Sequence, residues 1–341
     1  CKNPQTDSTV SRFFHRFELN RILHSCGFKK EKRLPAWDLL LCLVSMVFTD
    51  KSIPALEKDE NLPCGKSSLF RFLDNPRFCW RKLLFSFSRK ILFSFMKPAQ
   101  GKKKNLFEVL IVDDMLYPRK RSKKVELLSR RYDHSSGQYV RVFDLLTVGW
   151  SDGHSFVPLA FSLQSSQKKE VRLQEARSDV DQRTHGARLR NEAVMGKPEA
   201  LRSLLSQISG AGVETKHILF DSWFGSNRLI AELMGEGYLP ICMVKDWKGM
   251  RFHLDGEKLT LEGLYRKVKG KLDHRSRDVM GSVLVSLGED SKGQLRHGHV
   301  IFVRNRNNGK RRWLAVLNTD ANLSDREAVR IYGKRWDIEV F

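Results

Sequence analysis

Beyond residue 105 the apolar residues follow an order that few folds accommodate. Three β-type runs come first, at 107–112, 139–150 and 156–163, and Asp152-Gly153 between the last two is a hairpin signal. Helix and strand then alternate: helix over 199–208, strand over 218–220, helix over 226–234, strand over 239–244. Residues 245–319 return to β texture, strongest at 279–287, 299–304 and 312–317, with polar, glycine-bearing turns such as 305–310. The stretch 322–341 reads as a closing helix whose N-cap region is Leu323-Ser324-Asp325. Between these blocks, 164–197 is polar and charged and carries no obvious strand.

A three-stranded meander followed by alternating helices and strands is the order of a ribonuclease H-like core. The expected class is α/β: a ribonuclease H-like catalytic core over 106–245, interrupted by a β-rich insertion over 246–319 and resumed at 320–341 by the start of the helix that closes it. Ahead of it, 1–100 reads as mainly helical. Phe13, Phe14, Phe17, Ile22 and Leu23 predict one amphipathic first helix, 36–49 a core helix and 77–96 a further helix. Between them lies the cadence of a helix-turn-helix, with Pro63 and Gly65 in the turn and a second helix opening near Ser67. Leu69, Phe70, Phe72 and Leu73 are there to pack, and Lys66, Ser68 and Arg71 to meet DNA. A recognition helix and a plain core hairpin both fit that pattern. Residues 97–105 are the clearest linker.

Sixty-one Lys and Arg against 39 Asp and Glu give the chain a formal charge of +22. Residues 1–105 hold 21 of the bases and only 9 of the acids. Such an excess predicts attraction to a polyanion, most often nucleic acid, and residues 118–131 look like an exposed basic arm. Six cysteines (1, 26, 42, 64, 79, 242) show no metal-ligand spacing and fit reduced thiols. The longest apolar run, 39–48, is too short to span a bilayer, so no membrane partner and a cytoplasmic location are expected. A start at Cys1 and a stop at Phe341 inside a helical pattern read as cuts from a longer frame.

Asp114 and Asp221 follow hydrophobic strands, and strand ends beside one another bring side chains to one edge of a sheet. On the last helix Tyr332, Arg335 and Glu339 share a face at i, i+3 and i+7. Taken alone, Arg335 and Glu339 are an internal ion pair, Asp221 is an N-cap and Asp113 a strand-end acid. Taken together, Asp114, Asp221 and Glu339 make an all-oxygen set suited to Mg²⁺, with Mn²⁺ a substitute.

Val-Asp-Asp-Met at 112–115, Leu-Phe-Asp-Ser-Trp-Phe-Gly at 219–225 and Ile-Tyr-Gly-Lys-Arg-Trp-Asp-Ile-Glu at 331–339 resemble the three acidic motifs of DDE transposases from bacterial insertion sequences. The branch with a Tyr-x2-Arg-x3-Glu-x6-Lys signature and a β-strand insertion before the last acid is the most similar; its Lys would fall at position 346, past the end of the chain. The resemblance implies metal-dependent cleavage at a transposon end and transfer of the freed 3′-hydroxyl into target DNA. It implies that Asp114, Asp221 and Glu339 hold the ions, with Asp114 favoured over Asp113 although Met115 replaces the usual Ser or Thr. It further implies Tyr332 and Arg335 on phosphates of the transposon end, a homodimer on paired ends, and a bacterial, nucleoid-associated location. An aromatic of the insertion, Trp247 or Trp313, would meet a flipped base, although a core role suits each. Two alternatives stand beside it: a catalytically decayed DNA-binding derivative acting as a repressor, and another ribonuclease H-like nuclease.

Overall fold

The computed structural model describes residues 4–29, 34–58, 64–96, 107–133, 136–247, 250–306 and 312–340. The expected linker at 97–105, Pro63 and most of the 305–310 turn lie outside them. In chain order the elements are α1 (Pro4–Arg16), α2 (Leu19–Ser25), α3 (Ala36–Thr49), α4 (Ile53–Lys58), α5 (Lys66–Leu73), α6 (Trp80–Met96), β1 (Val109–Pro118), β2 (Ser129–Asp133), β3 (Gln138–Ser151) and β4 (Phe156–Gln164). There follow α7 (His185–Ala193), α8 (Lys197–Gly210), β5 (His217–Phe220), α9 (Asn227–Gly235), β6 (Leu239–Val244), β7 (Phe252–Leu254), β8 (Glu257–Leu259), α10 (Leu261–Val268), β9 (Val279–Glu289), β10 (Leu295–Arg304), β11 (Trp313–Asn318), α11 (Asp325–Gly333) and α12 (Asp337–Val340). Two compact units result. One comprises Cys1–Lys102, Leu116–Phe143 and Ser162–Met195; the other comprises Lys103–Met115, Asp144–Phe161 and Gly196–Phe341.

In the first unit the expected opening helix is two helices. Glu18 breaks it with φ 53°, a left-handed conformation that turns the chain so that both Phe14 and Leu23 reach one core. That core takes the apolar stripes of α2, α3 and α5 and closes on an aromatic cluster in which Phe28 stacks on Phe78 at 4.6 Å and meets Trp80 edge-on at 4.9 Å. A buried ion pair lies in this unit as well. Arg81 of α6 donates to Glu192 of α7 with both Nη atoms, one at 2.8 Å, and Ser162 and Gln164 of β4 complete the network. Helix α7 was not evident in the polar 164–197 stretch; Thr184 caps it by accepting from the Ala187 amide at 3.3 Å.

The second unit is built on a mixed sheet. The strand order runs β3-β1-β5-β6-β11-β10-β9-β7-β8, with β4 on the far side of β3. β1, β5 and β6 are parallel neighbours, and β4-β3-β1-β5-β6 is the order of a ribonuclease H-like core. β11 adds antiparallel to β6, so the strands over 246–319 prolong that same sheet. Central strand β1 is fully buried from Val109 to Val112, as a strand covered on both faces must be. Val109, Ile111, Leu219, Ile241 and Val316 form one face, and Ile331 of α11 packs on it. Ser324 and Glu327 start α11 with a reciprocal capping box.

Three boundaries differ from the sequence expectation in ways that affect the site. β1 does not end at the acids but continues through them to Pro118. The closing helix is interrupted by a 3-10 turn over Lys334–Trp336 between α11 and α12. Within the β-rich stretch lies α10, whose Leu261, Leu264 and Val268 recur at helical spacing behind a Thr260 cap.

Candidate active site

Because β1 runs on through both acids, Asp113 and Asp114 project to opposite faces of the sheet. The odd positions Val109 and Ile111 face α11, and Asp113 continues that row. On β5, Leu219 belongs to the same face and pairs with Ile111, so Asp221, two residues on, extends it. Asp221 stands just past the strand end and accepts from the Trp223 amide at 2.8 Å, which fixes the turn that follows. Glu339 and Arg335 come to this face from the closing helix: Arg335 Nη2 donates to Glu339 at 2.7 Å, and Arg335 Nη1 lies 3.7 Å from Asp113. Burial pushes the Asp113 carboxyl up to about 6; Arg335 opposes the rise, and Asp114, Asp221 and Glu339 add to it.

Asp114 serves a different cluster. Lys197, at the start of α8, bonds it and lies 3.2 Å from Asp144 of β3. Lys197 also sits 4.4 Å from the ring centroid of Trp223, half of whose surface is exposed. The lysine side chain is 13% exposed and that of Asp144 only 3%, so a largely desolvated cation is held between two carboxylates. Sequence reasoning missed both Lys197 and Asp144; no spacing rule singles out a lysine in a Gly-Lys-Pro helix start.

Tyr332 is packed against the core face, and burial pushes its hydroxyl up to about 12. For Arg335, burial alone would lower the pKa; Tyr332, Glu339 and Asp113 outweigh it and raise it. The 3-10 turn is pinned from beneath, since Lys334 donates to the carbonyls of Phe107 at 2.6 Å and Asp152 at 2.9 Å. Gly153 makes room for that lysine: its φ is +88°, and a Cβ there would meet the Lys334 side chain at 2.9 Å. Asp337 accepts from Ser151, tying α12 to the end of β3.

The other residues expected at DNA are on α5. Lys66 pairs with Glu57 of α4 at 2.7 Å, Arg71 is exposed and its Nε donates to the Ser67 carbonyl, and Ser68 is half-buried. Leu69 and Phe72 enter the core whereas Phe70 and Leu73 stay exposed. Of the two tryptophans considered, Trp313 is buried and stacks on Tyr265 at 4.4 Å, while Trp247 is 43% exposed.

The oxygen donors on the α11 face, Asp113, Asp221 and Glu339, are of the kind that hard divalent cations take. Among the described residues, no group of three or more His, Cys, Asp or Glu side chains is drawn together as an ion would require. In this arrangement Arg335 supplies the positive charge that Asp113 and Glu339 share.

A mixed sheet in ribonuclease H order thus carries Asp113 within β1 and Asp221 just past β5. Residues 26–246 match the family described as DDE superfamily endonuclease, and the chain belongs to that family. Among solved structures it is similar to a Drosophila P element transposase strand transfer complex at 11% identity and a TM-score of 0.28, over 77% of this chain and 55% of that one. The chain thus spans about half the length of that solved relative. No curated protein matches it. No helix among the described residues is long and apolar enough to cross a membrane, and cysteines 26, 42, 64, 79 and 242 are free thiols.

Proposed function

We propose that the chain is a transposase of a bacterial insertion sequence, cutting double-stranded DNA at transposon ends and joining it to target DNA. The observation that carries this reading is the placement of Asp113 and Asp221 on the α11 face of one sheet, with Arg335 and Glu339 brought to Asp113 from the closing segment. The Tyr332-x2-Arg335-x3-Glu339 spacing supports the insertion-sequence branch. Within this proposal the first ligand is Asp113, because Asp114 is committed to Lys197. Bound Mg²⁺ or Mn²⁺ would activate the attacking oxygen and stabilise the leaving one. Asp113, Asp221 and Glu339 would hold the ions. Arg335, released from Glu339, offers a planar fork to a phosphate. Tyr332 acts from the core side, fixing the end of α11 from which the turn with Arg335 and then α12 with Glu339 continue. Lys66, Ser68 and Arg71 on α5 are assigned to the DNA groove, and two copies are assigned to paired ends in the nucleoid.

The test is incubation with a linear duplex carrying the ends that flank the reading frame, with and without Mg²⁺. Cleavage is expected from the unaltered chain and from Asp114→Asn at reduced rate, and none from Asp113→Asn, Asp221→Ala or Glu339→Gln. Cleavage that survives Asp221→Ala would refute the site. Binding of the ends without any cleavage would instead favour a decayed copy acting as a repressor.

A further inference from the structure

The segment between β1 and β2 carries Arg119, Lys120, Arg121, Lys123 and Lys124, all exposed, and Arg130 follows on β2. Its single acid, Glu126, does not neutralise them. It is turned to Arg190 of α7, which grips it at 2.8 and 3.0 Å, and it also accepts the Arg177 amide at 2.9 Å. Among the described residues no carboxylate lies within ion-pair distance of Lys120, Arg121, Lys123 or Lys124.

The segment is held in place. The Arg119 amide donates to the Arg141 carbonyl at 2.8 Å, the Ser122 amide to Arg119 at 3.0 Å, and Arg141 Nη1 returns to the Ser122 carbonyl at 3.1 Å. At its other end Leu127 and Leu128 are buried and exchange backbone bonds with Gln174 and Leu173, at 2.8 and 2.7 Å. Leu127 adopts φ 57°, a left-handed conformation that a leucine accepts only under outside constraint.

The adjoining hairpin repeats the pattern. Arg130 stands directly across from Arg141, and like charges in that position destabilise a ladder unless an anion relieves them. Tyr132 and Tyr139, also opposite one another, meet edge-on at 5.3 Å and remain 46% and 67% exposed, with Arg130 over the Tyr139 ring. Arg119 lies 4.5 Å from the centroid of Tyr117.

Unpaired cations on a pinned backbone, a strained residue, an opposed arginine pair and exposed rings beside them fit one partner. The geometry points to residues 119–124 and the paired residues 129–133 and 138–142 of β2 and β3 as a sequence-independent surface for the phosphate backbone of duplex DNA, separate from α5. The choice of DNA as the polyanion rests on the nuclease reading above; the anion-binding character of the surface does not.

The experiment measures binding of a labelled duplex of arbitrary sequence, about 30 base pairs long, over a salt series. A variant carrying Lys120→Gln, Arg121→Gln, Lys123→Gln and Lys124→Gln is compared with one carrying Lys258→Gln, Lys269→Gln, Lys271→Gln and Arg275→Gln, which removes equal charge from exposed sites elsewhere. The slope of log K against log salt should become shallower by about 3 to 4 in the first variant, and by less than about 1 in the second, with melting temperature unchanged in both. An unchanged slope in the first variant, or an equal drop in both, would overturn the proposal. If the slope falls as expected but the unaltered chain never cleaves, the surface stands and the nuclease reading fails. If Asp221-dependent cleavage is seen and the slope does not move, the surface alone fails.

Discussion

Asp113 and Asp114 are neighbours in the chain yet serve opposite faces of one sheet, Asp113 with Arg335 and Asp114 with Lys197. Substitution at the two positions should therefore have unlike consequences. Asp113→Asn removes a carboxyl whose folded pKa, about 6, lies above its ordinary value of 3.8. With the folded pKa raised, the folded state binds more protons between those values, so its stability falls as pH rises from 3.8 to about 6 and stays reduced above that. The substitution should stabilise the metal-free protein near about pH 8 by ~1 kcal/mol, a figure reduced for the partial exposure of the site, and by much less near about pH 4. Urea titrations at both pH values check this, and an equal gain at the two would contradict it.

Lys197→Met should destabilise the second unit by about 3–5 kcal/mol, because Asp114 and Asp144 would face each other with their shared cation gone. Lys197→Arg should recover more than half of the loss. Chemical denaturation of the three proteins decides it; a loss below about 1 kcal/mol for the methionine variant would mean that water reaches the pair freely.

In the first unit, breaking the Arg81–Glu192 pair from one side leaves a charge buried. Arg81→Met is expected to cost about 3–5 kcal/mol, and the double replacement Arg81→Met with Glu192→Met less than that single change. Additive losses in the double-mutant cycle would show that the two side chains act independently.

Gly149→Ala tests packing beside the β3–β4 turn. A Cβ at Gly149 would come within 2.1 Å of the Phe156 ring, closer than any contact allows. Overpacking should cost about 1–3 kcal/mol, and adding Phe156→Leu should relieve part of it. A neutral Gly149→Ala in thermal melts would indicate that the ring simply swings aside.

Much of the second unit was legible because its strands obey simple rules. The runs at 218–220 and 239–244 are short, apolar and flanked by amphipathic helices, and they emerge as β5 and β6 with near-identical bounds. The meander was equally plain, since Asp152-Gly153 marks the turn. The parity of the two acids was within reach too: counting by twos from Val109 lands on Asp113, the same parity that leads from Leu219 to Asp221. The expectation that β1 stops at the acids obscured that parity, whereas the strand continues into polar sequence beside the long β3. Helix α7 and strand β2 were illegible for another reason. Their residues are mostly polar, and α7 is ordered by a partner far along the chain, Arg81 for Glu192, that no local window contains.

The place of β1 in the sheet has a consequence for how the site is made. Asp113 lies on a central strand formed early in the chain, yet Glu339 reaches it only after β5, β6 and then β11 have been laid down in turn and α11 has docked on the finished surface. Contacts of such long range form late and slowly in folding. An incomplete chain emerging during synthesis therefore holds Asp113 without Glu339. Any activity that needs both carboxylates is silent until the strands through β11 are in place and Glu339 has followed them, a timing safeguard written into strand order alone.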